Sequence, residues 1–369
     1  MYICRTILKS ISFPDTLETN LNNKCEIASN YLFFATKIKL KYIINQNNYT
    51  YMKVYLFSVV FCCFLVSCEK KTAVEKAVEE IPVTIKVERF DKVFFESKPE
   101  DLQKMKRQFP YFFPAGVPDS VWLNKSQHPL WRELYGEVQK KYSDFEPVRA
   151  ELVTLFKHIK HYFPKTRTPR AITVIAEMDY NNKVIYADSL VIIALEMYLG
   201  KEHKFYEFPK YIKQNFEQRQ MMPDVVSSFS VRKITFERDK TLLNQMVYAG
   251  KQLYLKDLLL PEYTEAEKIG FTPKEVSWCQ DNETYIWRYF LENELLYSDE
   301  SKLSSRFIDP APFSKFYLEI DNESPGQVGA WIGWQIVRSF AENNKVPLAQ
   351  LLQMNAKELF EKSKYKPKK

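Results

Sequence analysis

The chain has 369 residues, with 53 Lys and Arg against 46 Asp and Glu and a formal net charge of +7; that balance is too mild and too evenly spread for a nucleic-acid binder. Hydrophobic residues make up 46%, with 27 Phe, 23 Tyr and 6 Trp, which excludes disorder over most of the length. Only 8 glycines are present and neither GxGxxG nor GxxxxGK[ST] occurs, which argues against dinucleotide folds and phosphate-cradling loops.

From Met52 the chain reads MKVYLFSVVFCCFLVSCEKK. Lys53 supplies a positive start, and the apolar run Val54 to Val66 has signal-peptide length but is too short to span a bilayer. It ends in Leu65-Val66-Ser67-Cys68, which resembles the bacterial lipobox. Residues 52–67 are therefore expected to be a removable lipoprotein signal peptide, with Cys68 the lipidated residue and 68–82 a short tether. Several acyl chains on one cysteine exceed the single-chain threshold for stable membrane attachment. A signal peptide has to lie at the N-terminus, so residues 1–51, rich in Asn, Lys and Ile and without Gly, read as a translated upstream extension. Cys4, Cys25, Cys62 and Cys63 are lost with processing, leaving Cys279 as the sole free thiol, so neither an internal disulfide nor a cysteine zinc site is expected.

In chain order, Val83 to Phe90 alternates like a strand, Glu100 to Phe109 reads as a helix, and Tyr111 to Pro118 is a Pro-broken aromatic loop. Leu130 to Tyr142 and Pro147 to Tyr162 fit amphipathic helices, the second carrying Val148, Leu152, Leu155, Phe156 and Ile159 on one stripe. Ala171 to Ala176 is expected to form a hairpin with Lys183 to Ala187 through Asn181-Asn182. Ser189 to Leu199 reads as an apolar helix closed by Gly200. Further helices are expected after Pro223, over Thr241 to Leu260, over Glu283 to Leu296 and over Val328 to Asn343. With no linker or repeat from 83 to 360, the expectation is one large, helix-rich α+β domain, followed by a frayed basic tail at 361–369.

Candidates for chemistry are sparse. His158 and His161 form HxxH on a helix, but Ile159 and Lys160 stand between them where a metallopeptidase helix carries its Glu base, so two partly exposed helix histidines near a charged face are the preferred reading. No Gly-x-Ser-x-Gly elbow exists. Glu177, Asp179, Asp188 and Glu196 are close in sequence, yet spacing alone does not bring them together, and turn chemistry accounts for Asp179. Cys279 reads as a buried structural thiol. The densest signal is Ser324-Pro-Gly-Gln-Val-Gly-Ala-Trp-Ile-Gly-Trp-Gln-Ile-Val337: Gly329 and Gly333 share a helix face with Trp331 and Trp334 beside it. Close helix packing is the first reading of that face, and a ligand or partner groove is the second.

VERFDKVFFE, the FPYFFP loop, DSLVIIALEMYLG, TLLNQMVYAGKQLYLKDLLLP and PGQVGAWIGWQIVRSF, together with the lipobox, resemble the gliding-motility lipoprotein GldB family of Bacteroidota over essentially the whole mature chain. The resemblance implies a membrane-anchored component of the gliding machinery, tied to other gliding proteins and to the associated secretion system. Lipoproteins exported to the cell surface in that phylum usually carry an acidic cluster after the lipidated cysteine. Here Glu69 is followed by Lys70 and Lys71, so the expected orientation is toward the periplasm. The chain also looks distantly similar to predicted zinc peptidases with HExxH and a later Glu-Gly. At the corresponding positions stand Pro223, Ser227 and Ala249, so the implied scaffold would have its metal site erased. The expected function is non-enzymatic, a component or assembly factor without metal or cofactor. The alternatives are a divergent periplasmic hydrolase and a lipoprotein that binds a peptide or glycan.

Overall fold

A computed structural model describes residues 72–319 and 321–368. Cys68, the signal segment and residues 1–51 lie outside the described residues. Residues from Ala73 onward form one compact unit.

Four strands make a mixed sheet in the order β1-β2-β4-β3, with β1 at Val87–Arg89, β2 at Arg170–Val174, β3 at Val184–Ala187 and β4 at Leu190–Ala194. Strands β1 and β4 both run parallel to β2, with Val87 opposite Ala171 and Ile172 opposite Ile192. Strand β3 returns antiparallel on β4, Ile185 facing Ile192.

The sheet departs from the sequence expectation in three places. The strand foreseen over Val83 to Phe90 survives only as Val87–Arg89, and Phe90 opens a helix, Phe90–Glu96. The hairpin between 171–176 and 183–187 does not form, because β3 pairs with β4 through a turn at Asp188, whose φ of 46 suits a short polar side chain. Asn181 instead completes a local turn in which the Asp179 carboxylate accepts its backbone N–H at 2.9 Å. The helix foreseen over Ser189 to Leu199 is strand β4 followed by a 3₁₀ turn, Leu195–Tyr198. Val191, Ile192 and Ile193 are β-branched and lie on a strand flanked on both sides. A short apolar run with that branching suits such a strand better than a helix.

Helices surround the sheet. Helices α1 (Pro129–Tyr142) and α2 (Glu146–Tyr162) bury the stripes expected of them, α2 through Val148, Leu152, Leu155, Phe156 and Ile159. Helix α3 (Met221–Ser230) lies against β3 and against α4 (Leu242–Leu259). Thr241 caps α4, its hydroxyl accepting the Asn244 N–H at 3.3 Å. Helix α5 spans Pro273–Glu292, starting ten residues before the expected Glu283, because Thr272 and Glu275 form a capping box around Pro273. Helix α6 is Val328–Asn343 and α7 is Ala356–Ser363.

The centre of the unit is the crossing of α4 and α6. A side chain on Gly333 would strike the Met246 carbonyl, and one on Gly250 would strike the Gly333 carbonyl, so these helices touch backbone to backbone. Asp257 locks the crossing, accepting the Trp334 indole N–H at 2.8 Å and the Arg338 Nε at 2.7 Å, with Lys268 Nζ at 3.1 Å.

Both ends of the unit are docked, which corrects the frayed tail expected at 361–369. Residues 361–363 complete α7, and the Tyr365 hydroxyl donates to the buried Glu283 carboxylate at 2.8 Å, joined there by the Lys368 N–H at 3.2 Å. The Tyr365 ring meets Trp287 edge-on. At the other end, Ala73–Glu79 of the expected tether is helical and buries Val78 beside α2.

Candidate functional site

The α3–α4 pair forms one side of a cleft of about 1240 Å³, closed by the loops at 211–216, 236–240, 269–271 and 308–311. Its floor is polar. Asp224 enters from α3, Lys256 from α4, and Lys183 from the residue before β3. Asp224 Oδ2 holds Lys183 Nζ at 2.6 Å and accepts the Tyr198 hydroxyl at 2.8 Å. Burial, reinforced by the Asp224 charge, raises the Tyr198 phenol well above its usual value, so it serves as a fixed donor.

Lys256 is buried within α4 and donates to the Lys268 carbonyl at 2.7 Å, its one hydrogen bond among the described residues. Burial pushes its ammonium down to about 8; Asp224 opposes that shift and Lys183 adds to it. Gln220, also buried and lining the cleft, makes no side-chain hydrogen bond to the described residues. The mouth is aromatic: Phe236, 79% exposed, stands edge-on to Tyr248 with ring centres 6.1 Å apart, and Tyr180 flanks the entrance.

Asp224 Oδ2 is shared by an ammonium and a phenol, and the Ser227 hydroxyl donates to the Pro223 carbonyl of its own helix at 3.0 Å. Lys256 keeps N–H capacity beyond its one side-chain hydrogen bond and lines the cleft.

The family model for gliding motility protein GldB matches residues 71–367. The chain belongs to the gliding motility protein GldB family. The match takes in the described unit through residue 367, cleft included, and makes the chain a gliding-motility-associated lipoprotein. Among the described residues no helix is long and apolar enough to cross a membrane. No curated protein and no solved structure matches the chain.

The residues singled out in the sequence go mostly elsewhere. His158 is buried on α2 with Nδ1 unpartnered among the described residues, His161 lies one turn on, and neither lines the cleft. Burial, with the neighbouring His161, lowers the His158 imidazolium below its ordinary value. Among the described residues no three His, Cys, Asp or Glu side chains converge as metal ligands. Cys279 is fully buried, and burial raises its thiol.

The four carboxylates part company. Glu177 faces Lys125 at 3.4 Å, Asp179 caps its turn, Asp188 pairs with Arg232 at 3.0 Å, and Glu196 is buried against the Ala176 N–H. Pro223 and Ser227 on α3 and Ala249 on α4 do sit on neighbouring helices, with Ser227 and Ala249 facing the cleft. That placement does not support the likeness to zinc peptidases.

The groove read at Gly329, Trp331, Gly333 and Trp334 is filled by the chain itself. Gly329 faces Phe307 and Ile308, Gly333 faces Met246, and both indoles are buried, edge to face at 5.7 Å. The first reading of that face, close packing, describes it.

Sequence reasoning passed over Lys183, Asp224 and Lys256. A partial signal for Lys256 was present: Lys251 and Lys256 lie in the largely apolar α4, each followed by a polar residue, and both are buried with their ammonium groups on backbone carbonyls. Lys183 and Asp224 lie 41 positions apart, and only the docking of α3 on β3 brings them together.

Proposed function

We propose that this lipoprotein is a non-enzymatic component or assembly factor of the gliding machinery, anchored through Cys68, facing the periplasm, and holding another machinery or secretion-system protein at the α3–α4 cleft. The observation that carries the reading is the state of the cleft floor. Asp224, Tyr198 and Ser227 are committed to internal partners, while Lys256 and Gln220 keep hydrogen-bonding capacity for a guest. Family membership supports the gliding role and the lipid anchor. The basic pair Lys70-Lys71 after Cys68 supports the periplasmic orientation.

Replacing Cys68 by Ala tests the anchored role. The expected result is a chain that leaves the membrane fraction and cells that stop spreading on a surface. Retention in the membrane together with normal spreading would overturn it.

A further inference from the structure

We propose that the floor of the cleft is a carboxylate site, and that the cleft takes an extended peptide segment whose carboxylate reaches Lys256. This rests on the reading of the cleft as a binding site and names the chemistry that it recognises.

Three observations carry it. The first is local charge. Lys256 and Lys183 stand against one acid, Asp224, so the floor keeps one uncompensated positive charge. Lys256 is buried with a single hydrogen bond, and a buried ammonium is left short of partners unless something else accepts from it. The Gln220 amide also lines the cleft, makes no side-chain hydrogen bond to the described residues, and supplies a neutral donor. A carboxylate, with two oxygens accepting from a cation and an amide, fits that pair.

The second is the state of the acids at the mouth. Asp239 accepts the Thr241 N–H at 2.9 Å, and Glu275 accepts the Thr272 N–H at 2.6 Å. Both are occupied with helix starts and face the entrance loops, while Glu237 and Asp299 lie at the rim with Arg238 and Lys240. Anions are therefore not drawn to the mouth in general. The positive charge is met only by a group that reaches the floor.

The third is shape. At about 1240 Å³ the cleft exceeds what a single small ligand needs. Its walls mix aromatic faces, Phe236 and Tyr248, with side-chain amides, Asn215 and Gln252. A peptide presents that same alternation of apolar side chains and backbone amides.

The test uses the full chain purified in detergent and calorimetric titration with three synthetic tetrapeptides. These are acetyl-Ala-Phe-Ala-Phe as the free acid, the same peptide as its amide, and acetyl-Ala-Phe-Glu-Phe-amide. The expected result is that at least one carboxylate peptide binds about tenfold or more tightly than the neutral amide, the size of one charge-assisted hydrogen bond. The free acid and the Glu peptide separate a chain-terminal from a side-chain carboxylate. The preference should disappear in Lys256→Met and shrink in Gln220→Leu. The comparison of acid with amide in the unaltered protein stands without any variant. Equal binding of all three peptides, or binding of none, overturns the carboxylate site, as does a preference that survives Lys256→Met. Equal binding that is lost in Phe236→Ala would overturn the carboxylate while leaving the cleft a binding site, so the two readings fail separately.

Discussion

Gly250 of α4 and Gly333 of α6 meet backbone to backbone, and neither has room for a methyl group. Around that contact sit the two buried indoles of Trp331 and Trp334 and the Asp257 cluster that ties Trp334, Arg338 and Lys268 together. The helices can cross this closely only because both positions lack a Cβ. The crossing also sets the position of α4, which supplies Lys256 and Ala249 to the cleft.

Gly333→Ala should therefore force the helices apart and cost about 1–3 kcal/mol or more, as overpacking does. Urea unfolding of the purified chain measures it. An unchanged midpoint and slope would show that the crossing yields freely.

Much of the helical architecture was legible in the sequence, since amphipathic stripes such as Val148-Leu152-Leu155-Ile159 have one face to bury and do so. The sheet was less legible. Val191-Ile192-Ile193 carries no apolar–polar alternation, although Val191 and Ile193 are buried and Ile192 is half-buried, so its sequence period gave no warning that it was not a helix. Gly333 pointed correctly to a close approach, but the element that approaches, α4, is a tertiary fact. The cleft was hidden for the same reason. Lys183 belongs to a loop before a strand and Asp224 to a helix, and nothing local links them. The tail misled in the other direction. Its lysines suggested solvent, whereas Tyr365 and the Lys368 N–H satisfy the buried Glu283.

Glu196 should give stability a pH dependence of its own. The side chain is fully buried; one oxygen accepts the Ala176 N–H at 2.9 Å, and the other has no partner among the described residues. Burial raises its carboxyl to about 7 from an ordinary 4.5, so the folded chain holds the proton more tightly than the unfolded one. The stabilisation is complete below about pH 4.5 and is lost as the pH rises through about 7. Glu196→Gln should flatten that fall, which amounts to no more than about 3 kcal/mol. Melting temperatures at pH 4.5, 6 and 7.5 provide the check, and an identical profile in the variant would contradict it.

Lys256 should act at the other end of the scale. Its ammonium is pushed by burial down to about 8 from an ordinary 10.5, so between those values the unfolded chain binds the extra proton. Stability from this group therefore rises with pH from about 8 to about 10.5. Lys251, shifted in the same direction by its own burial, contributes a parallel rise. Lys256→Met should reduce the climb by up to about 3 kcal/mol without abolishing it. Denaturant unfolding at pH 8 and pH 9.5 distinguishes this from a lysine that titrates as if exposed, for which the variant would show the same slope as the parent.

The most direct measurement is surface spreading of cells whose chain carries Ala249→Trp. Ala249 is half-buried and lines the cleft from α4, so an indole there fills the space a guest would take while leaving Cys68 and the anchor unaltered. The expected result is wild-type protein level and membrane fraction with spreading lost. Normal spreading by a chain whose cleft is blocked would contradict the cleft as the working surface of this gliding lipoprotein.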